Sequence, residues 1–147
     1  MTVHRGAHSL IGALVLLAVA GCSGVGGGGS PPSVPYDELK GNLAQAYDDL
    51  SRGIDGGAFD RVPSLCTALG VELDRVEAAA KRWGILEREK MNLAIATARR
   101  ALQSVARTAP ATGDAELLRA QLRPVGEAVE QAEGLLDQAA AATQSSS

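Results

Sequence analysis

The feature that most restricts this chain is a seam of small and apolar residues at alternating steps of three and four. In the last third of the sequence Ala115, Leu118, Leu122, Val125, Val129, Ala132, Leu136 and Ala139 follow one another in this way. The acids Glu127, Glu130, Glu133 and Asp137 all fall off the seam. A mean period near 3.5 is that of a helix with one apolar face, and it cannot serve a strand, whose faces alternate every second residue. The pattern recurs three times upstream. Residues 36–52 give Tyr36, Leu39, Leu43, Ala46 and Leu50; residues 60–83 give Val62, Cys66, Leu69, Leu73, Val76, Ala80 and Trp83; residues 86–108 give Met91, Ile95, Ala98, Leu102 and Val105.

Four such segments joined by short breaks predict an all-α, antiparallel four-helix bundle with helices near 36–52, 60–83, 86–108 and 114–141, followed by a disordered tail over 143–147. The breaks coincide with turn chemistry: Asp55-Gly56-Gly57 after the first helix, and Ala109-Pro110-Ala111-Thr112-Gly113 before Asp114, which is placed to cap the last one. The same seams would suit a coiled-coil oligomer, but short connections favour pairing within one chain. Between the second and third helices the seam shifts by one residue. Continued straight through Gly84 it would carry Glu87, Lys90 and Thr97 into the core, so a turn is expected there, with Gly84 left-handed at the position after the helix end. One kinked helix over 60–108 is the alternative. Pro124 lies inside the last helix and is expected to bend it near Ala120.

Upstream of the helices the composition changes. Arg5 is followed by an uncharged apolar run, Leu10–Ala20, and then by small residues, the layout of a secretory signal peptide. Eleven residues at 1.5 Å each cover about 16 Å, roughly half a hydrocarbon core, which is too short for a permanent span. Ala18-Val19-Ala20 offers one cleavage site, releasing a chain that begins at Gly21. Val19-Ala20-Gly21-Cys22 offers another, and it resembles the lipobox of bacterial lipoproteins: an aliphatic residue, two small ones and a cysteine. The resemblance covers residues 1–22 only. It implies cleavage before Cys22, acylation of its thiol and amino group, and an envelope location facing periplasm or exterior, with the membrane as a partner through the acyl chains. Two or more such chains anchor stably where one does not. Residues 23–35, SGVGGGGSPPSVP, lack charge and read as a flexible tether of about 20 Å root-mean-square span.

Removal of residues 1–21 takes away Arg5, His4 and His8. Fourteen basic residues less Arg5 leave thirteen against seventeen acids, a net charge of −4 and no histidine. Nucleic-acid binding needs clustered positive charge, so none is expected. Histidine-dependent catalysis and haem attachment by a C-x-x-C-H motif have no residues to use. Di-iron bundles need inward carboxylates with Glu-x-x-His, whereas the acidic stripe of the last helix points outward, so no metal and no cofactor are expected. That stripe could instead face the arginines of the third helix, Arg88, Arg99, Arg100 and Arg107. Cys66 falls on a seam and reads as a small buried hydrophobe.

One surface stands out. Arg82, Trp83, Ile85 and Leu86 gather around the turn at Gly84, and tryptophan with arginine commonly anchors binding surfaces. Trp83 also continues the seam, so it can equally close the end of the core. The functional expectation is a non-enzymatic bundle, displayed on a lipid anchor, that binds a protein partner or assists assembly. The alternative is a carrier that holds a small apolar ligand or lipid in a cleft between helices.

Overall fold

Asp114 caps the last helix as its position demands: its Oδ1 accepts hydrogen bonds from the backbone N–H of Glu116 at 2.9 Å and Leu117 at 3.1 Å. In the computed structural model, which describes residues 34–145, the chain forms four α-helices: α1 Tyr36–Asp55, α2 Val62–Ala80, α3 Ile85–Thr108 and α4 Ala115–Ser145. A 3₁₀ turn, Ala109–Ala111, leads from α3 towards α4. Each helix packs on two neighbours, in the order α1 on α2, α2 on α3, α3 on α4 and α4 back on α1. The signal-peptide, lipobox and most of the tether lie outside the described residues.

Specific contacts fix the antiparallel sense. Lys40 near the start of α1 meets Asp137 near the end of α4 at 2.7 Å, while Asp55 at the end of α1 meets Arg119 near the start of α4 at 2.6 Å. Tyr36 opens α1 beside Trp83, just past α2. The start of α1, the α2–α3 turn and the end of α4 therefore share one end of the bundle, and it is the end at which the described chain begins.

Turn chemistry differs from expectation at one glycine. The left-handed residue is Gly57, at φ +70°, not Gly84. Around Gly57 the N–H of Ala58 bonds the carbonyl of Gly53 and the N–H of Gly57 bonds that of Ile54, the paired bonds of a Schellman ending. Gly84 instead has φ −55° and ψ 155° and precedes the first turn of α3, with no side chain to cap the helix. The chain does turn back between α2 and α3, but four residues, Lys81–Gly84, make the turn, and α2 stops at Ala80 rather than Trp83. Gly84 thus leads into α3 instead of ending α2. Elsewhere the helices run past their expected ends, α1 to Asp55 and α4 to Ser145. Gly53 lies inside α1, where the missing side chain lets Leu65 of α2 approach to 2.6 Å from the β-carbon position. α4 continues through Pro124 without interruption.

The seams form the core. Leu39, Leu43, Leu50, Val62, Leu69, Leu73, Val76, Met91, Ile95, Leu118, Val129 and Leu136 are all buried. α4 buries a wider stripe than its seam, adding Gly126, Ala128 and Leu135. Gly126 permits the approach of α1: a β-carbon there would stand 2.5 Å from the Tyr47 hydroxyl.

Candidate functional surface

Trp83 does not project from the bundle. Its indole Nε1–H donates to the Tyr36 hydroxyl at 3.0 Å, and the two rings meet edge to face with centroids 5.9 Å apart and planes at 71°. An indole buried against apolar neighbours needs a partner for its N–H, and Tyr36 supplies one at the end of the core. Trp83 is a closing residue. The rest of the expected cluster behaves differently: Arg82 is exposed, and Ile85 and Leu86 are 69% and 59% exposed.

A second exposed leucine lies two turns further along α3. Leu93 is 63% exposed, and with Leu86 it shares a line continued at seven-residue steps by Arg100 and Arg107. Seven residues is close to two helical turns, so these four side chains stack on one outward face. Among the described residues, Arg100 and Arg107 donate only to carbonyls of their own helix, Ala96 and Gln103. The face thus has an apolar half near the tether end and a basic half beyond it. Leu93 escaped sequence reading because attention to seams discards whatever falls off them.

The expected pairing of α3 arginines with α4 acids does not occur. α3 and α4 do lie side by side, but through their apolar faces. Arg99 turns to α2, where its Nη2 meets Glu77 at 2.6 Å and also Asp74. On α4, Asp137 is taken by Lys40 of α1, and Glu127 faces Arg123 one turn back at 3.9 Å. Burial raises the Glu133 carboxyl above the usual carboxylate range, against the opposing pull of Lys40 and with a further push from Asp137, Glu130 and Asp48. Among the described residues no group of acids, histidines or cysteines is arranged to hold a metal.

Cys66 is buried, and burial pushes its thiol up to about 11. A thiol so placed is protonated at neutral pH and out of reach of reagents, the opposite of a reactive site. At the end of the bundle where α1 starts, a shallow cleft of about 610 Å³ opens between the start of α1, the end of α2 and the end of α4. Tyr36, Leu39, Ala79 and Ala140 form its apolar part, with Arg75 and Arg82 at its edge. No helix among the described residues is long and apolar enough to cross a membrane. Comparison with protein-family models, curated proteins and solved structures finds no match to this chain.

Proposed function

We propose that the mature protein is anchored in a bacterial envelope membrane by acyl chains on Cys22 and serves as a non-catalytic docking module for a protein partner. The observation that carries the docking half is the outward face of α3. Past its first turn α3 buries Met91, Ile95, Leu102 and Val105, yet Leu93 stays 63% exposed in line with Arg100 and Arg107, which meet no acid among the described residues. An apolar anchor beside unpaired guanidinium groups suits an acidic, amphipathic partner surface. The anchoring half rests on Val19-Ala20-Gly21-Cys22.

Each half has its own test. On phase separation the wild-type protein enters detergent and a Cys22→Ser protein stays aqueous; a wild-type mature chain starting at Gly21 refutes the anchor. A photo-crosslinker at position 93 or 100 gives an adduct in cells that the same group at Gln45, on α1, does not. Identical adducts from all three positions, or none, refute the docking face. The carrier reading draws support from the cleft beside Tyr36. It predicts that a fluorescent fatty acid binds and is displaced when Ala79→Trp fills the cleft.

A further inference from the structure

We infer that the end of the bundle bearing Ile85 and Leu86 rests on the lipid surface, with these two side chains entering the boundary between headgroups and acyl chains and Lys81 and Arg82 meeting lipid phosphates. The occupant of this surface is thus an anionic phospholipid bilayer. The inference takes the anchor of the preceding reading as its starting point.

Three observations meet here. First, the described chain begins at Val34, 42% exposed, at the same end as the α2–α3 turn, as the contact of Tyr36 with Trp83 shows. By composition, the thirteen residues between Cys22 and Tyr36 imply a coil of about 20 Å root-mean-square span, less than the length of α3, whose 24 residues extend about 36 Å. The opposite end, with Asp55 and Asp114, reaches the bilayer only if the whole bundle tips over. Second, Ile85 and Leu86 are adjacent, both mostly exposed, and open α3 directly after the turn. Adjacent aliphatics at a tip enter an interface without exposing unbonded backbone to hydrocarbon, because only side chains penetrate. Third, Lys81 and Arg82 are exposed beside them and meet no carboxylate among the described residues. The charges around them are mixed. Arg88 and Lys90 add to the basic side, Glu87 and Glu89 oppose them on α3, and Asp37 and Glu38 open α1 at this end. Net attraction to anionic lipid is therefore modest, and the aliphatic pair carries the contact.

Contact at this end leaves the line from Leu93 to Arg107 running away from the membrane, open to a partner. It also places Trp83, the sole tryptophan, two residues from the contact, where it reports on it.

The test forms the anchor chemically, so that it does not depend on acylation in cells. The core draws on residues 39–136, all of which a chain starting at Cys22 retains. That chain is coupled through the Cys22 thiol to a maleimide lipid in vesicles; Cys66 is buried and does not compete. Lipids brominated in their acyl chains then quench Trp83. Quenching is expected in bilayers of phosphatidylcholine and phosphatidylglycerol in equal parts, and it is weaker in phosphatidylcholine alone. Ile85→Glu with Leu86→Glu lowers the ratio of docked to undocked protein by more than about tenfold, the transfer of at least one aliphatic side chain. Lys81→Glu with Arg82→Glu removes the difference between the two lipid mixtures. Circular dichroism checks that each variant remains helical. Trp83 unquenched in the coupled wild-type protein, or quenched equally in the Ile85→Glu, Leu86→Glu protein, overturns the inference. Failure of the anchor in cells appears separately, in the detergent partition of the Cys22→Ser pair.

Discussion

Gly84 is the residue at which the direction of a stability change tests the backbone most directly. At φ −55° and ψ 155° it sits just before α3 in a conformation open to any residue, so a β-carbon meets no backbone strain. The nearest obstacle is Glu87 Oε2, 2.6 Å from the β-carbon position, and that is the mobile end of an exposed side chain. Gly84→Ser brings a hydroxyl to the orphan N–H groups of α3 and creates a capping box with Glu87, three residues on. Serine exceeds glycine at this position by a few tenths of a kcal/mol, and loss of glycine's freedom in the unfolded chain adds ~0.4–1 kcal/mol. The sum is about 1 kcal/mol of stabilisation, or roughly 4 °C in melting temperature for a domain of this size. Gly84→Ala gains the same unfolded-state term but offers no cap, and it falls below serine by ~1 kcal/mol. Urea unfolding followed by Trp83 fluorescence and by far-ultraviolet circular dichroism measures both variants. If serine and alanine each destabilise by about 1 kcal/mol or more, Gly84 is left-handed and the α2–α3 turn described above is wrong.

Gly126→Ala drives a β-carbon to 2.5 Å from the Tyr47 hydroxyl. It should cost ~1–2 kcal/mol in urea unfolding, because overpacking outweighs alanine's helix advantage of ~1 kcal/mol; Tyr47→Phe added to it should recover part of the loss. Cys66 should resist a bulky maleimide until the protein unfolds, and Cys66→Ala should cost no more than ~1–2 kcal/mol at neutral pH. Because burial raises this thiol from 9.0 to about 11, its protonated form favours the fold. That contribution is complete below pH 9 and fades by about 2–3 kcal/mol as pH climbs to 11, so the wild type should lose more stability across that window than Cys66→Ala. Tyr36→Phe leaves the Trp83 indole N–H without its partner and should lower stability by ~1 kcal/mol, with a shift in tryptophan emission.

Periodicity made the core legible. Val62, Cys66, Leu69, Leu73, Val76 and Ala80 were readable as one buried face because a helix that covers a core must repeat its apolar positions. Asp114 was equally legible, since a carboxylate before an apolar run has few other uses. Ala128 and Leu135 were not, because they lie off the seam and how far a buried stripe widens beyond it is set by tertiary packing. Gly84 and Gly57 look alike in sequence, and only the hydrogen bonds around Gly53 and Ile54 tell them apart. The partner of Arg99 was misjudged for a related reason: a charge reaches whichever helix lies on its own flank, and for Arg99 that is α2. Trp83 allows two readings, closure or display; it lies half-buried at the end of the core with its N–H on the Tyr36 hydroxyl, as its seam position implies.

Because the first and last helices begin and end at the same pole, force has two different routes through this molecule. Tension between Tyr36 and the end of α4 peels α1 from α4 turn by turn, starting at the Lys40–Asp137 pair, and each turn yields separately. Tension between Tyr36 and Arg107, near the far end of α3, runs along the helix axes, so the contacts joining α1 to its neighbours must slide together. The same bundle is compliant in the first direction and stiff in the second. Pulled from the start of α1 and from the far end of α3, the bundle therefore bears load as a tie.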